Sequence, residues 1–144
     1  FIKVLKVNLS ASPLPCIVFF SSQNSTLYSY SINGRFLESV VESSRCVLSA
    51  TIVKDLNFLE LLVYGNEKGE LYVRDLPYLD FKRKFDIAAN NPIYSISVSK
   101  DRKYIFCGLF DGELVFLADP NTLSLSPLKS NNEESSSDRS VWLL

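Results

Sequence analysis

The sequence predicts an all-β chain built from repeated antiparallel units of four strands each. Three observations carry that expectation. Short β-rich runs, separated by polar or glycine-containing breaks, fill residues 16–118. No stretch keeps helical apolar spacing over about 10–12 residues. The nearest, 54–62 (KDLNFLELL), is too short and runs directly into a β-rich segment, so it reads as strand. The runs also recur at a fixed period.

Taken in order, Ile17–Ser21 and Thr26–Ile32 are β-rich runs split by the polar residues 22–25. Asn33-Gly34 is the strongest short hairpin signal and leads into Arg35–Val41. Val47–Val53 alternates, with Leu48, Ala50 and Ile52 on one side and Ser49 and Thr51 on the other. Leu61–Gly65, Glu70–Leu76 and Phe81–Ile87 follow, then Ile93–Ser99, Tyr104–Leu109 and Glu113–Ala118.

Leu27, Leu71 and Leu114 fall in register, 44 and 43 residues apart. Gly65 aligns with Gly108 and Gly69 with Gly112, and both later copies carry Gly-Glu-Leu after the turn. The preceding strand repeats as well: Ile52-Val-Lys-Asp55 matches Val98-Ser-Lys-Asp101. A period of roughly 40–45 residues with four strands per unit is the pattern of a propeller blade. Gly34, Gly65, Gly69, Gly108 and Gly112 are expected as structural turn residues, because a reversal within a few residues favours φ > 0. Three blades are expected, at about 1–42, 43–88 and 89–128, the last with an outer strand at Leu123–Leu128. Propellers close with 4–8 blades, so three are a partial ring. The start at Phe1 rather than Met agrees with a piece of a larger protein. Residues 129–140 read as a flexible polar linker, and Val141–Leu144 as a further strand or a tail.

The chain has 144 residues with 15 Lys and Arg against 16 Asp and Glu, a net charge of −1. That balance excludes a generally basic nucleic-acid binder. There is no His, so imidazole bases, imidazole metal ligands and histidine switches are excluded. Cys16, Cys46 and Cys107 form no CxxC pair, and three is odd, so buried thiols are expected rather than a disulfide framework. No run of about 18 apolar residues is present to span a membrane. Phosphate-binding glycine loops, a nucleophile elbow and calcium-loop acid spacing are missing, so no catalytic, cofactor-binding or metal-ligating residue is expected. Asp111 and Glu113 flank a repeated turn, where Glu70 stands in the other copy, and read as structural. Lys82-Arg-Lys84 reads as the charged edge of an outermost strand. The strand aromatics read as sheet packing before base stacking.

The blades resemble degenerate WD repeats, with Arg74-Asp75 standing where Trp-Asp would be. More closely, the stretch IVFFSSQNSTLYSYSINGRFLES over 17–39, the segment Gly65-NEKGELYVRDL76 and the run Ile93–Leu117 resemble the C-terminal WD propeller of BEACH-domain proteins, the neurobeachin and beige-like family. The likeness spans roughly residues 16–118. It implies a cytoplasmic, non-catalytic scaffold in vesicle and membrane traffic. Its partners would be other proteins or domains of the same larger chain, with peripheral membrane association through the full-length protein. The alternatives are a WD-repeat subunit of another cytoplasmic complex, or a phosphoinositide-binding propeller, whose Arg-Arg-Gly type loop is not in this sequence. Propeller geometry would gather Glu42, Glu67 and Asp111 on one acidic rim as a candidate partner surface.

Overall fold

The computed structural model describes residues 2–6, 15–21, 24–42, 46–54, 60–101 and 103–118. Among them there is no helix, and eleven strands form three antiparallel sheets. The first sheet runs β1 (Ile2–Lys6), β2 (Cys16–Ser21), β3 (Thr26–Ser31) and β4 (Phe36–Val41). The second runs β5 (Val47–Lys54), β6 (Glu60–Asn66), β7 (Glu70–Asp75) and β8 (Phe81–Asp86). The third holds β9 (Ile93–Val98), β10 (Tyr104–Leu109) and β11 (Leu114–Ala118). Within each sheet the strands pair in chain order. β1 falls on a segment in which the sequence suggested no strand. The outer strand expected at 123–128, the linker 129–140 and the terminal 141–144 lie outside the described residues, as do 55–59 of the ambiguous stretch.

The sheets are consecutive blades of a partial propeller. The first strand of each lies beside the first strand of the next, β1 against β5 and β5 against β9. Between the first two sheets, Val18, Phe20 and Leu27 pack with Leu62, Tyr64, Tyr72 and Leu79. Between the second and third, Leu61, Val63, Leu71 and Val73 pack with Ile93, Ile105, Cys107, Leu109 and Val115. Alternation along β6 explains both sets. Odd-numbered side chains face the third sheet and even-numbered ones the first, so all seven β6 residues are buried. A strand covered on both faces has no reason to alternate polar with apolar. The run Leu61-Leu-Val-Tyr64 carries that consequence in the sequence.

β5 departs from the expected two-faced pattern. Ser49, assigned to a polar side, is buried and its Oγ donates to the carbonyl of Ile93 at 2.9 Å. Alternation puts Ser49 on the face of Val53, toward the third sheet and Ile93, while the register shift between Val47 and Ser49 leaves Val47 with Ala50 and Ile52 toward the first.

Of the five expected turn glycines, Gly65 and Gly108 lie instead within β6 and β10 without positive φ, where the residues pair in the ladders, and the other three take left-handed backbone at their turns. Gly34 closes the β3–β4 turn at φ +78°. Gly69 and Gly112 occupy the same place in the β6–β7 and β10–β11 turns, at φ +79° and +91°. Their surroundings differ. A Cβ on Gly69 would collide with the backbone oxygen of Ala88 and lie 2.7 Å from that of Asn91, whereas one on Gly112 meets nothing within 4 Å. Gly112→Ala is therefore expected to cost roughly 1 kcal/mol of left-handed backbone strain. Gly69→Ala should cost clearly more, because backbone must also move. Urea unfolding of both variants checks the order, and equal losses would contradict it.

Candidate functional site

Antiparallel chain order puts the β6–β7 and β10–β11 turns at the same end of the sheets as Glu42, Cys46 and the connection 87–92. Backbone hydrogen bonds tie this end together. Glu42 N donates to Ser25 O at 2.7 Å, Ile87 N to Gly69 O at 3.0 Å, Asn90 N to Lys68 O at 3.1 Å and Phe110 N to Pro92 O at 3.0 Å. The result is a rim of short turns clamped to the connections.

Asp111 lies exposed on this rim, where it accepts from Asn91 Nδ2 at 2.6 Å and from Glu113 N at 3.1 Å. Glu67 is half-buried at the tip of the β6–β7 turn. Glu42 does not join that surface. It is 8% exposed, and its carboxylate turns inward between the first and second sheets. The reason is a charge in the second sheet that needs a counter-charge.

That charge is Arg74. It sits on the even face of β7, directed at the first sheet and only 8% exposed. Its Nη2 donates to Glu42 Oε1 at 2.8 Å and its Nε to the same oxygen at 3.1 Å. Nε also lies 2.8 Å from Tyr64 Oη, and Nη1 donates to Leu79 O at 3.0 Å. Tyr64 Oη donates to Glu42 Oε1 at 2.6 Å. Phe81 covers the guanidinium at 5.7 Å from the ring centre, and Tyr64 stacks on Tyr72 at 5.3 Å. Burial, then the adjacent Glu42 carboxylate, push the Tyr64 phenol well above its ordinary range. Burial works against the charge on Arg74, but Tyr64 and Glu42 outweigh it. The sequence showed Arg74 only as a substitute within a degenerate repeat signature. An Arg among apolar residues of a central strand does signal a buried charge. Its partner, 32 residues earlier, carries no local mark.

A second network lies across the outer part of the second sheet. Lys84 Nζ bridges Glu70 at 2.7 Å and Asp86 at 3.1 Å, and Lys82 pairs with Asp75. Glu70 also accepts from Asn66 Nδ2 at 2.7 Å and Tyr72 Oη at 3.1 Å. Burial alone would raise Glu70, but the hydrogen bonds from Lys84, Asn66 and Tyr72 win and hold its carboxyl below its ordinary value. Both lysines of the Lys82-Arg-Lys84 cluster are thus engaged by carboxylates of their own sheet. β8 is the edge of that sheet, where charged side chains oppose edge-to-edge pairing.

None of the three cysteines forms a disulfide; Cys16 and Cys107 are buried and Cys46 is half-buried. Burial pushes Cys16 and Cys46 up, and Cys107 up to about 12. A nucleophilic or metal-binding thiol needs the opposite shift. Among the described residues no cluster of three or more Cys, Asp or Glu could hold a metal ion, and no helix is long and apolar enough to cross a membrane. No protein-family model matches the chain.

Removing one member of a buried ion pair strands the other. Glu42→Ala is therefore expected to cost about 3 kcal/mol or more in urea unfolding. The double replacement Glu42→Leu/Arg74→Met should lose less than Glu42→Ala alone, since no buried charge remains. Glu70 predicts an acid limit. Its folded-state carboxyl is lowered, so its contribution is present above the ordinary value of 4.5 and is lost as pH falls through the lower folded-state value. Glu70→Gln should flatten stability against pH in that acidic window. An unchanged profile would remove Glu70 from the account.

Proposed function

We propose that this chain is a non-catalytic protein-interaction segment, part of the C-terminal propeller of a BEACH-type scaffold acting in vesicle and membrane traffic. The observation that carries the reading is the rim, where short turns bearing Asp111 and Glu67 are clamped by backbone hydrogen bonds to rigid sheets. A surface pre-ordered in this way binds a partner without first losing loop entropy. The sequence resemblance over residues 16–118 supplies the trafficking context and the cytoplasmic setting. The raised cysteine thiols and the internally paired Lys82 and Lys84 favour protein contacts over thiol chemistry or phosphoinositide binding.

On this reading the partner surface is basic, because the rim exposes Asp111 and Glu113. Proximity labelling of the full-length protein in cells should mark proteins of vesicle membranes. Charge reversal by Glu67→Lys/Asp111→Lys should deplete them and slow association with a purified partner about tenfold at low salt. Reversal of Lys100 and Lys103, which lie near the opposite ends of the strands, should leave the rate unchanged. Labelling confined to a soluble complex away from membranes would favour the WD-subunit alternative. A rate that falls only on reversing Lys100 and Lys103 would move the contact to the other rim.

A further inference from the structure

Twice in this chain a cation sits between an aromatic ring and a carboxylate. Arg74 Cζ lies 5.7 Å from the centre of the Phe81 ring while Nη2 donates to Glu42 at 2.8 Å. Lys84 Nζ lies 5.8 Å from the centre of the Tyr72 ring while it pairs with Glu70 at 2.7 Å. The ring face and the carboxylate both attract positive charge, so the two partners reinforce each other. At the rim end of the third sheet the rings and carboxylates recur, but the cation does not. Tyr94 and Phe110 are 54% and 69% exposed, with ring centres 5.7 Å apart. Asp111 follows Phe110 directly, and Glu113 lies exposed just past the turn. Among the described residues no Lys or Arg covers either ring or forms an ion pair with Asp111 or Glu113.

This corner is held from behind. Phe110 N donates to Pro92 O at 3.0 Å, Asn91 Nδ2 donates to Asp111 Oδ2 at 2.6 Å and Glu113 N to Asp111 Oδ1 at 3.1 Å. Each Asp111 oxygen takes one of those hydrogens and keeps a lone pair for a further donor. The corner also lies beyond the contact between sheets. Ser49 faces Gly65 as Ser95 faces Gly108, which makes Leu48 the counterpart of Tyr94 and Glu67 the counterpart of Phe110. Leu48 and Glu67 remain half-buried although the third sheet is stacked on the second. A stacked neighbour therefore leaves this place at the surface. The corresponding turn of the second sheet reads Glu67-Lys68-Gly69, so the rings and the carboxylate are brought together by the third sheet's own residues and not by the repeat.

We infer that Tyr94, Phe110 and Asp111 form a subsite for an arginine side chain of a partner protein. The guanidinium lies on the rings and donates to the Asp111 carboxylate, and Glu113 adds negative charge beside it. Arginine is favoured over lysine because its planar, weakly hydrated group stacks on a ring and reaches a carboxylate in one pose. Arg74 takes that pose inside the molecule, against Phe81 and Glu42. The inference rests on the rim being a partner surface and names the group which that surface selects.

The probe is the capped peptide Gly-Gly-Arg-Gly-Gly, with lysine and citrulline versions as comparisons. Titrated into the isotopically labelled chain at low salt, the arginine peptide should shift the signals of Tyr94, Phe110 and Asp111 saturably, with half-saturation at about 1–10 mM. Lysine should bind about twofold more weakly, and citrulline, which keeps the shape and loses the charge, should not bind. Phe110→Leu should weaken binding roughly threefold. The turn is held through the Phe110 amide and not its ring, so this variant keeps the backbone bond to Pro92. Tyr94→Leu is the second variant, with the same expected loss. Equal shifts with citrulline, binding indifferent to both ring variants, or shifts centred on another carboxylate would overturn the inference. In the full-length protein, association with a partner that slows on Glu67→Lys/Asp111→Lys but not on Phe110→Leu/Tyr94→Leu would keep the rim as a partner surface and overturn the arginine subsite alone. A dimer in sedimentation, dissolved by Phe110→Leu, would give the rings to a second copy and overturn it as well.

Discussion

Every sheet here depends on its neighbours for burial. A single four-stranded antiparallel sheet has two faces and no interior, so apolar side chains leave water only when another sheet lies against them. Among the described residues the second sheet is the one covered on both sides, and it supplies the centre of both apolar clusters. Burying a Leu, Val or Ile side chain contributes about 1.5–3 kcal/mol. The paired faces of β6 and β7 therefore outweigh any single hydrogen bond in the molecule. Sheet order, not strand pairing alone, decides which residues count as core.

Polar groups refine that apolar frame. The two interfaces are equivalent by repeat but not by chemistry. Glu42, Tyr64 and Arg74 join the first two sheets. Their counterparts between the second and third are Ile87, Cys107 and Leu117, all apolar. Both solutions hold two sheets together, which matches the small net value of a buried ion pair against an apolar replacement. What the triad adds is direction. Arg74 reaches Tyr64 in its own sheet and Glu42 at the end of the preceding one, so a shifted or exchanged neighbour would leave a buried charge unpaired. We read it as a device that registers the first sheet on the second.

Charge is handled differently at the surface. The lysines of β8 are neutralised within their own sheet, and the strand keeps its edge soluble without offering a free basic patch. The rim is ordered by backbone bonds and by the Asp111 carboxylate, which holds the Asn91 side chain and the Glu113 amide.

Period and strand order were legible in the sequence because they are local. Alternation, Asn33-Gly34 and the paired glycines act within a few residues of themselves. The whole ten-strand series from residue 16 to 118 follows from such signals. β1 did not, since its isolated run gains meaning only through pairing with β2. The rim was legible in outline, because strand order alone puts the turns and connections at one end. Which rim residues remain at the surface was decided in three dimensions. Glu42 looks like Glu67 in the sequence, but it is drawn inward by Arg74, 32 residues later in the chain and beside it in space. Ser49 reads as a solvent-facing hydroxyl until β9 lies alongside and offers the Ile93 carbonyl. A sequence states a residue's own preference. Its surroundings depend on contacts between sheets, and those exist only once the sheets are stacked.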